Sequence, residues 1–306
     1  MIPKNNAVVF GGSGFLGSYV VDVLHQRGYK VRVFDIKKSQ YLQDGQEMII
    51  GNIMDRDRVM EACEGCDVVY NFSGLADIDE AKDNPLNTVT LNVLGNINVL
   101  EGARLAGASR FVFASSVYVY SDSGSFYGAS KQASERFVEI YKERYGLSYT
   151  ILRYGSLYGR RSDRRNGIFR LLSGAITEGQ LKYAGNGEEV REYIHVQDAA
   201  RASVDILSPE YEDQHVILTG NERMKVKDLM CMISEILKGR VTIQFTQENV
   251  YGHYTITPYV FQPKLGKKLV VNPHIDMGQG ILDCLAEIHE KFVKDAYHEE
   301  ERVMSD

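Results

Sequence analysis

The sequence predicts an α/β protein, a doubly wound parallel sheet with a smaller mixed α+β unit on its C-terminal side. Three observations carry this. Apolar runs of strand length alternate with helical periodicity from Ala7 to about residue 155, as repeated βα units do. The first unit turns on a glycine run, Gly11-Gly-Ser-Gly-Phe-Leu-Gly17, set between a strand and a helix. After Arg153 the texture changes, with glycines and basic residues crowding the stretch to Gly187.

Taken in order, Ala7–Phe10 reads as a buried strand and the stretch from Tyr19 to Leu24 as a helix. Gly11 permits a tight turn, Gly14 lets the backbone approach a pyrophosphate, and Gly17 allows close helix–strand packing. Free amide N–H groups at this turn and the helix dipole suit phosphates. Lys30–Phe34 is the second strand and ends in Asp35, 18 residues after Gly17, where a Rossmann-type fold places the acid that takes ribose hydroxyls. An acid there repels a 2′-phosphate, so the expected cofactor is NAD rather than NADP. Strands over Glu47–Ile50, Asp67–Phe72 and Phe111–Ser116 follow, with helices over Arg56–Cys63, Asn87–Ala106 and Tyr127–Tyr145, and then the strand Ser148–Leu152. His215–Leu218 and Val241–Phe245 read as further strands, Ile281–Phe292 as a helix, and Tyr297–Arg302 as a fraying acidic tail. The expected division is a cofactor domain over 1–155 plus roughly 190–220, and a substrate unit over 156–189 and 221–306.

Composition narrows the classes. The 306 residues are 44% hydrophobic and 25% charged, enough for a substantial core, and the net charge of −6 argues against a nucleic-acid binder. No apolar run reaches the ~20 residues of a membrane helix, and no signal-peptide pattern is visible, so the chain reads as cytoplasmic. Of four cysteines, Cys63 and Cys66 form the one close pair, and without a second pair they read as structural, with no metal expected.

The chemistry gathers between residues 111 and 131. The Phe111 strand ends in Ser115 and Ser116, and the helix that follows puts Tyr127 and Lys131 four residues apart on one face. A tyrosine has a reference pKa of about 10, and an ammonium beside it favours the phenolate. A serine at the strand end can hydrogen-bond the reacting oxygen. Together Ser116, Tyr127 and Lys131 make a proton-transfer device for an alcohol–carbonyl pair. For the basic cluster Arg160–Arg165, a solvated loop and a patch facing a phosphorylated substrate both stay open, the second through Arg161.

On these residues the chain resembles the extended short-chain dehydrogenase/reductases that act on nucleotide sugars, the UDP-glucose 4-epimerase-like branch above all. The resemblance spans nearly the whole chain and is densest from Ala7 to Ala202. It implies NAD, tightly bound, over Gly11, Gly14, Phe15, Leu16, Gly17 and Asp35, with Asn52 and Ile53 beside the adenine, although the family usually has Asp where Asn52 stands. Phe72, Ser73 and Gly74 match a turn near the cofactor, with Asn71 replacing the usual His, and Asn92 matches a helix asparagine bracing it. Ser116, Tyr127 and Lys131 match the family's catalytic set, the last two also touching cofactor, and Tyr154 flanks it. Ser156 stands where an asparagine helps hold the sugar nucleotide, and Arg191 matches an arginine clamping the diphosphate. His195 is expected to be structural and Asp198 to cap the next helix. Related dehydratases and decarboxylases carry carboxylates in the two positions after the catalytic Ser/Thr, and here Val117 and Tyr118 fill them. The implied reaction is 4-epimerisation of a nucleotide-diphosphate sugar. The alternatives are a 4-dehydrogenase or 4-ketoreductase and a non-catalytic NAD(H) sensor. A homodimer through a four-helix bundle is expected.

Overall fold

In the computed structural model, residues 5–221, 223–246 and 253–260 are described, with the isolated positions 282, 285, 286 and 289. The chain runs β1 (Asn6–Phe10), α1 (Phe15–Gln26), β2 (Lys30–Asp35), β3 (Glu47–Ile50), α2 (Arg56–Cys63) and β4 (Val68–Asn71). Then α3 (Ile78–Asp83), α4 (Pro85–Val89) and α5 (Gly95–Leu105) lead to β5 (Arg110–Ser116), α6 (Ser125–Tyr145) and β6 (Tyr149–Tyr154). After these come β7 (Ser156–Tyr158), α7 (Gly167–Thr177), β8 (Gln180–Ala184), β9 (Val190–His195), α8 (Val196–Asp205) and β10 (Gln214–Leu218). The last described elements are β11 (Arg223–Lys225), α9 (Val226–Ile236) and β12 (Thr242–Thr246).

The main sheet has seven parallel strands in the order β10-β6-β5-β4-β1-β2-β3. Alternate residues of β1 feed two cores. Val8 and Phe10 face α2, α5 and α6, while Ala7 and Val9 face α1 and α8. Covered on both faces, the strand is apolar throughout. The strand order reverses between β1 and β4, so the loops leaving their C-terminal ends diverge and open a crevice. Phe10 pairs with Phe34 on one side and Asn71 on the other, which brings Gly11, Asp35 and Phe72 to one level at that crevice.

The long helix expected over Asn87–Ala106 is divided. A wide π-helical turn, Thr90–Leu94, separates α4 from α5. It turns Asn92 inward, where the side chain bonds Leu75 and Ser130, and Gly95 then presses so closely on Ile53 that a Cβ would lie 2.4 Å from it.

Beyond β6, β7 and β11 flank β9, and β12 pairs in parallel with β8. Leu171, Leu181, Met230 and Ile233 form a separate small core beneath α7 and α9. All of this belongs to one compact unit, Met1–Gln262. A second unit, Pro263–Asp306, holds the expected helix Ile281–Phe292, of which only Leu282, Leu285, Ala286 and His289 are described, each helical. The acidic tail lies outside the described residues.

One capping expectation is corrected. His195, not Asp198, caps α8: its Nδ1 accepts from the Gln197 N–H at 3.4 Å, while Asp198 in the first turn pairs with Arg201. Cys63 and Cys66 are free and buried, and burial pushes the Cys66 thiol up to about 11. Among the described residues, no helix is long and apolar enough to cross a membrane.

Candidate active site

The crevice has a cofactor end built around α1. Gly11 has φ +76, and a Cβ on it would lie 2.7 Å from the Phe72 carbonyl carbon. A Cβ on Gly17 would lie 2.2 Å from the Gly11 oxygen, so glycine is required at both positions. Gly14 caps α1 with extended backbone, and among the described residues no side chain bonds the N–H groups of Phe15 and Leu16. An uncapped helix start without Cβ atoms in its path is a cradle that fits a pyrophosphate. Asp35 stands at the end of β2, where its carboxylate accepts from the Ser13 N–H at 3.0 Å and the Lys37 N–H at 3.2 Å. Asn52 is exposed, its Oδ1 accepting from the Met54 N–H at 2.9 Å, and Ile53 is buried beneath Gly95.

Across the crevice, Phe72 stacks on Tyr70 and tilts against Tyr154. Ser73 donates from both its N–H and its hydroxyl to Asn71 Oδ1, and Asn71 Nδ2 donates to Asn96. Gly74 has φ +126 and lies against the Asn92 amide. Asn92 accepts from the Leu75 N–H and donates to the Leu75 carbonyl and to Ser130 Oγ, so its amide ties this turn to α6. The Tyr154 hydroxyl pairs with Ser203 Oγ at 2.6 Å.

Ser116 is the last residue of β5, and Tyr127 and Lys131 lie in the first two turns of α6. The turn between them is set by Gly124, which starts α6 with φ +95 and packs against Tyr118. The Ser116 hydroxyl accepts from the Tyr118 N–H at 3.3 Å and favours the ionised form of Tyr127, and Lys131 Nζ lies 5.8 Å from the centre of the Tyr127 ring. The expected depression of the tyrosine pKa is not what the site shows. Burial pushes Tyr127 up to about 12, against the pull of Ser116. Burial brings Lys131 down to about 8, opposed by Glu135. The physical reason is geometric. Lys131 Nζ donates to the Ala114 carbonyl at 2.8 Å and lies 4.8 Å over the Phe113 ring, so its charge serves the strand end rather than the phenol.

Ser156 is half-buried in β7 opposite Tyr193. Arg191 is buried, its guanidinium 4.5 Å over the Tyr254 ring, and bonds only the Val190 and Thr255 carbonyls among the described residues. Arg161 goes elsewhere, to α1, pairing with Asp22.

Sequence reasoning missed the wall beside Tyr127. Tyr118 packs edge-on to Tyr127 and 4.5 Å from Tyr254, and its hydroxyl shares a hydrogen bond with His253 Nδ1 at 2.9 Å. His253 Nε2 lies 3.6 Å from Asp79. Tyr118, two residues after Ser116, was visible in the sequence. The segment around His253 carried no local signal, because its place depends on pairing with Val190.

A parallel sheet with a glycine cradle, an acid after β2 and a Ser–Tyr–Lys set at the end of β5 defines a dinucleotide-dependent enzyme of the short-chain dehydrogenase/reductase type. Residues 7–218 match the NAD dependent epimerase/dehydratase family, and the chain belongs to it, with NAD as its cofactor. A putative UDP-glucose 4-epimerase of Methanocaldococcus jannaschii is 27% identical over 90% of this chain and 95% of its own length. The solved UDP-glucose 4-epimerase of Thermus thermophilus, in complex with NAD, is 25% identical with a TM-score of 0.73, over 84% of this chain and 90% of that one. The Thermotoga maritima UDP-glucose 4-epimerase, solved with UDP-glucose, shares the fold with a TM-score of 0.76 at 24% identity, over 84% of this chain and 90% of that one.

Proposed function

We propose that the enzyme is an NAD-dependent nucleotide-sugar 4-epimerase acting through a transient 4-keto sugar. The observation that carries this reading is the meeting of Ser116, Tyr127 and Lys131 at one strand end, with Val117 and Tyr118 offering no carboxylate beside them. A site so equipped moves one proton at one oxygen, and neither position after Ser116 supplies the carboxylate that expulsion of a hydroxyl would use.

NAD held over the Gly11–Gly17 cradle would supply the hydride chemistry, as acceptor and then donor. Tyr127 takes the proton from the C4 hydroxyl and gives it back. Ser116, at the end of β5, donates to the oxygen as it becomes a carbonyl. Lys131, one turn beyond Tyr127, donates to the Ala114 carbonyl and holds positive charge under the strand end. Arg191, which bonds backbone carbonyls and no carboxylate among the described residues, suits the substrate's diphosphate. The names of the relatives support a UDP-sugar. Exposed Leu86, Val89 and Leu94 along the α4–α5 stretch and Phe126 at the start of α6 support a homodimer through these helices.

The test is a panel of UDP-, GDP-, CDP- and dTDP-sugars followed by anomeric proton NMR and reduced-nicotinamide absorbance. A new epimer without net NADH supports the proposal. NADH accumulating with a free ketosugar overturns it in favour of a 4-dehydrogenase.

A further inference from the structure

Arg161 lies in the loop between β7 and α7 with φ +67, a left-handed backbone that an arginine keeps only when its surroundings over-determine it. Those surroundings come from the far side of the crevice. The guanidinium carbon is 4.2 Å from the Tyr19 ring centre and 4.1 Å from that of Tyr41, so both its faces are covered. Nη1 lies 2.8 Å from Asp22 Oδ2, out of line for a hydrogen bond, so charge holds the pair. The other Asp22 oxygen accepts from Gln43 Nε2 at 2.6 Å.

These partners belong to two elements. Tyr19 and Asp22 are on α1, whose first turn is the phosphate cradle. Tyr41 and Gln43 are in the loop that leaves Asp35, the acid suited to the ribose. One side chain thus joins α1 and the loop that leaves Asp35 to a third segment, some 120 residues further along the chain. The third segment is itself braced. Ser162 Oγ donates to the Gly159 carbonyl and Asn166 Nδ2 to the Leu157 carbonyl, each at 2.7 Å. An arginine with both faces stacked and its edge on Asp22 has little left to offer a sugar nucleotide.

We propose that Arg161 is a clasp that retains NAD: it shuts the adenosine end of the site and sets how slowly the cofactor leaves. A self-contained epimerase needs such retention, because the hydride must return from the same NAD molecule that took it. The inference deepens the NAD reading of the crevice and rests on it.

The experiment loads purified full-length enzyme with NAD, transfers it to NAD-free buffer well below its melting temperature, and measures retained NAD over time. Arg161→Ala and, independently, Tyr41→Leu are expected to release NAD at least tenfold faster than wild type. Arg161→Lys, which keeps the charge and loses the planar stack, falls between, a graded rescue that simple loss of folding would not produce. Wild-type release rates in both Arg161→Ala and Tyr41→Leu would overturn the clasp, and Tyr41→Leu alone decides it if Arg161→Ala fails to fold. A wild-type protein that takes up no NAD at all would overturn the cofactor assignment, and the clasp with it.

Discussion

Glu135 and Arg153 form a two-point ion pair one helical turn beyond Lys131. Arg153 Nε donates to Glu135 Oε1 at 2.9 Å and Nη2 to Oε2 at 2.6 Å, with side chains 6% and 8% exposed. Ser115 Oγ donates to the same carboxylate at 2.5 Å, so the pair fastens α6 to the ends of β5 and β6, beside Ser116, Tyr127 and Lys131. Removing one partner of a buried pair costs far more than replacing both. Glu135→Leu is expected to cost about 3 kcal/mol in urea unfolding, and Glu135→Leu with Arg153→Met less than that. A double variant as unstable as the sum of the singles would show that the two side chains act independently.

Tyr127→Phe keeps the ring and its packing while removing the only atom in α6's first turn placed to move the proton. Turnover should fall by roughly 10³-fold or more, with NAD still retained. Product NMR and the NAD content of the purified variant check both halves. Full activity would remove Tyr127 from the mechanism.

Lys131 is buried and its pKa is lowered from the ordinary 10.5 to about 8, so the unfolded chain binds more protons between those two values. Stability is therefore reduced by this group at and below pH 8, and the reduction fades as pH rises toward 10.5. Lys131→Met should raise stability at pH 7 by on the order of 2 kcal/mol, after loss of the bond to Ala114, and by much less at about pH 10. Denaturant melts at the two pH values test the sign. A gain that grows with pH would mean that the ammonium is stabilised in the fold.

Arg191→Ala should raise the KM for the sugar nucleotide by about 10- to 100-fold and weaken NAD much less, as loss of one charge-assisted contact does. Steady-state kinetics beside NAD titration separate the two. Equal losses would place Arg191 at neither the diphosphate nor the sugar.

The helix faces offer a prediction about assembly. Leu86 is 84% exposed on α4, and Leu86→Lys together with Val89→Glu should shift a dimer to monomer in light-scattering chromatography. An unchanged dimer would mean that the two copies meet elsewhere.

How much was legible depends on whether the cause is local. The cradle was readable because glycine at Gly11 and Gly17 is forced by backbone contacts within one βα unit and its neighbouring strand. The Tyr127–Lys131 spacing was readable because helical periodicity alone puts both on one face, and the alternation of apolar runs was enough for the parallel sheet. The break at Thr90–Leu94 was not, since an unbroken apolar period hides a wide turn whose cause is the inward bonding of Asn92 to Leu75 and Ser130.

The sequence by itself determined the fold class, the cofactor cradle and the Tyr127–Lys131 spacing on one helix face, because each follows from residue type and short-range spacing. Tertiary structure alone decided the balance of charge around Tyr127, where burial outweighs a lysine turned toward Ala114. It alone sent Arg161 to Tyr19, Tyr41 and Asp22, and brought His253 and Tyr254 against Tyr118. Those contacts join segments a hundred or more residues apart, and what a buried charge costs or a stacked cation gains is set by neighbours that no local pattern names.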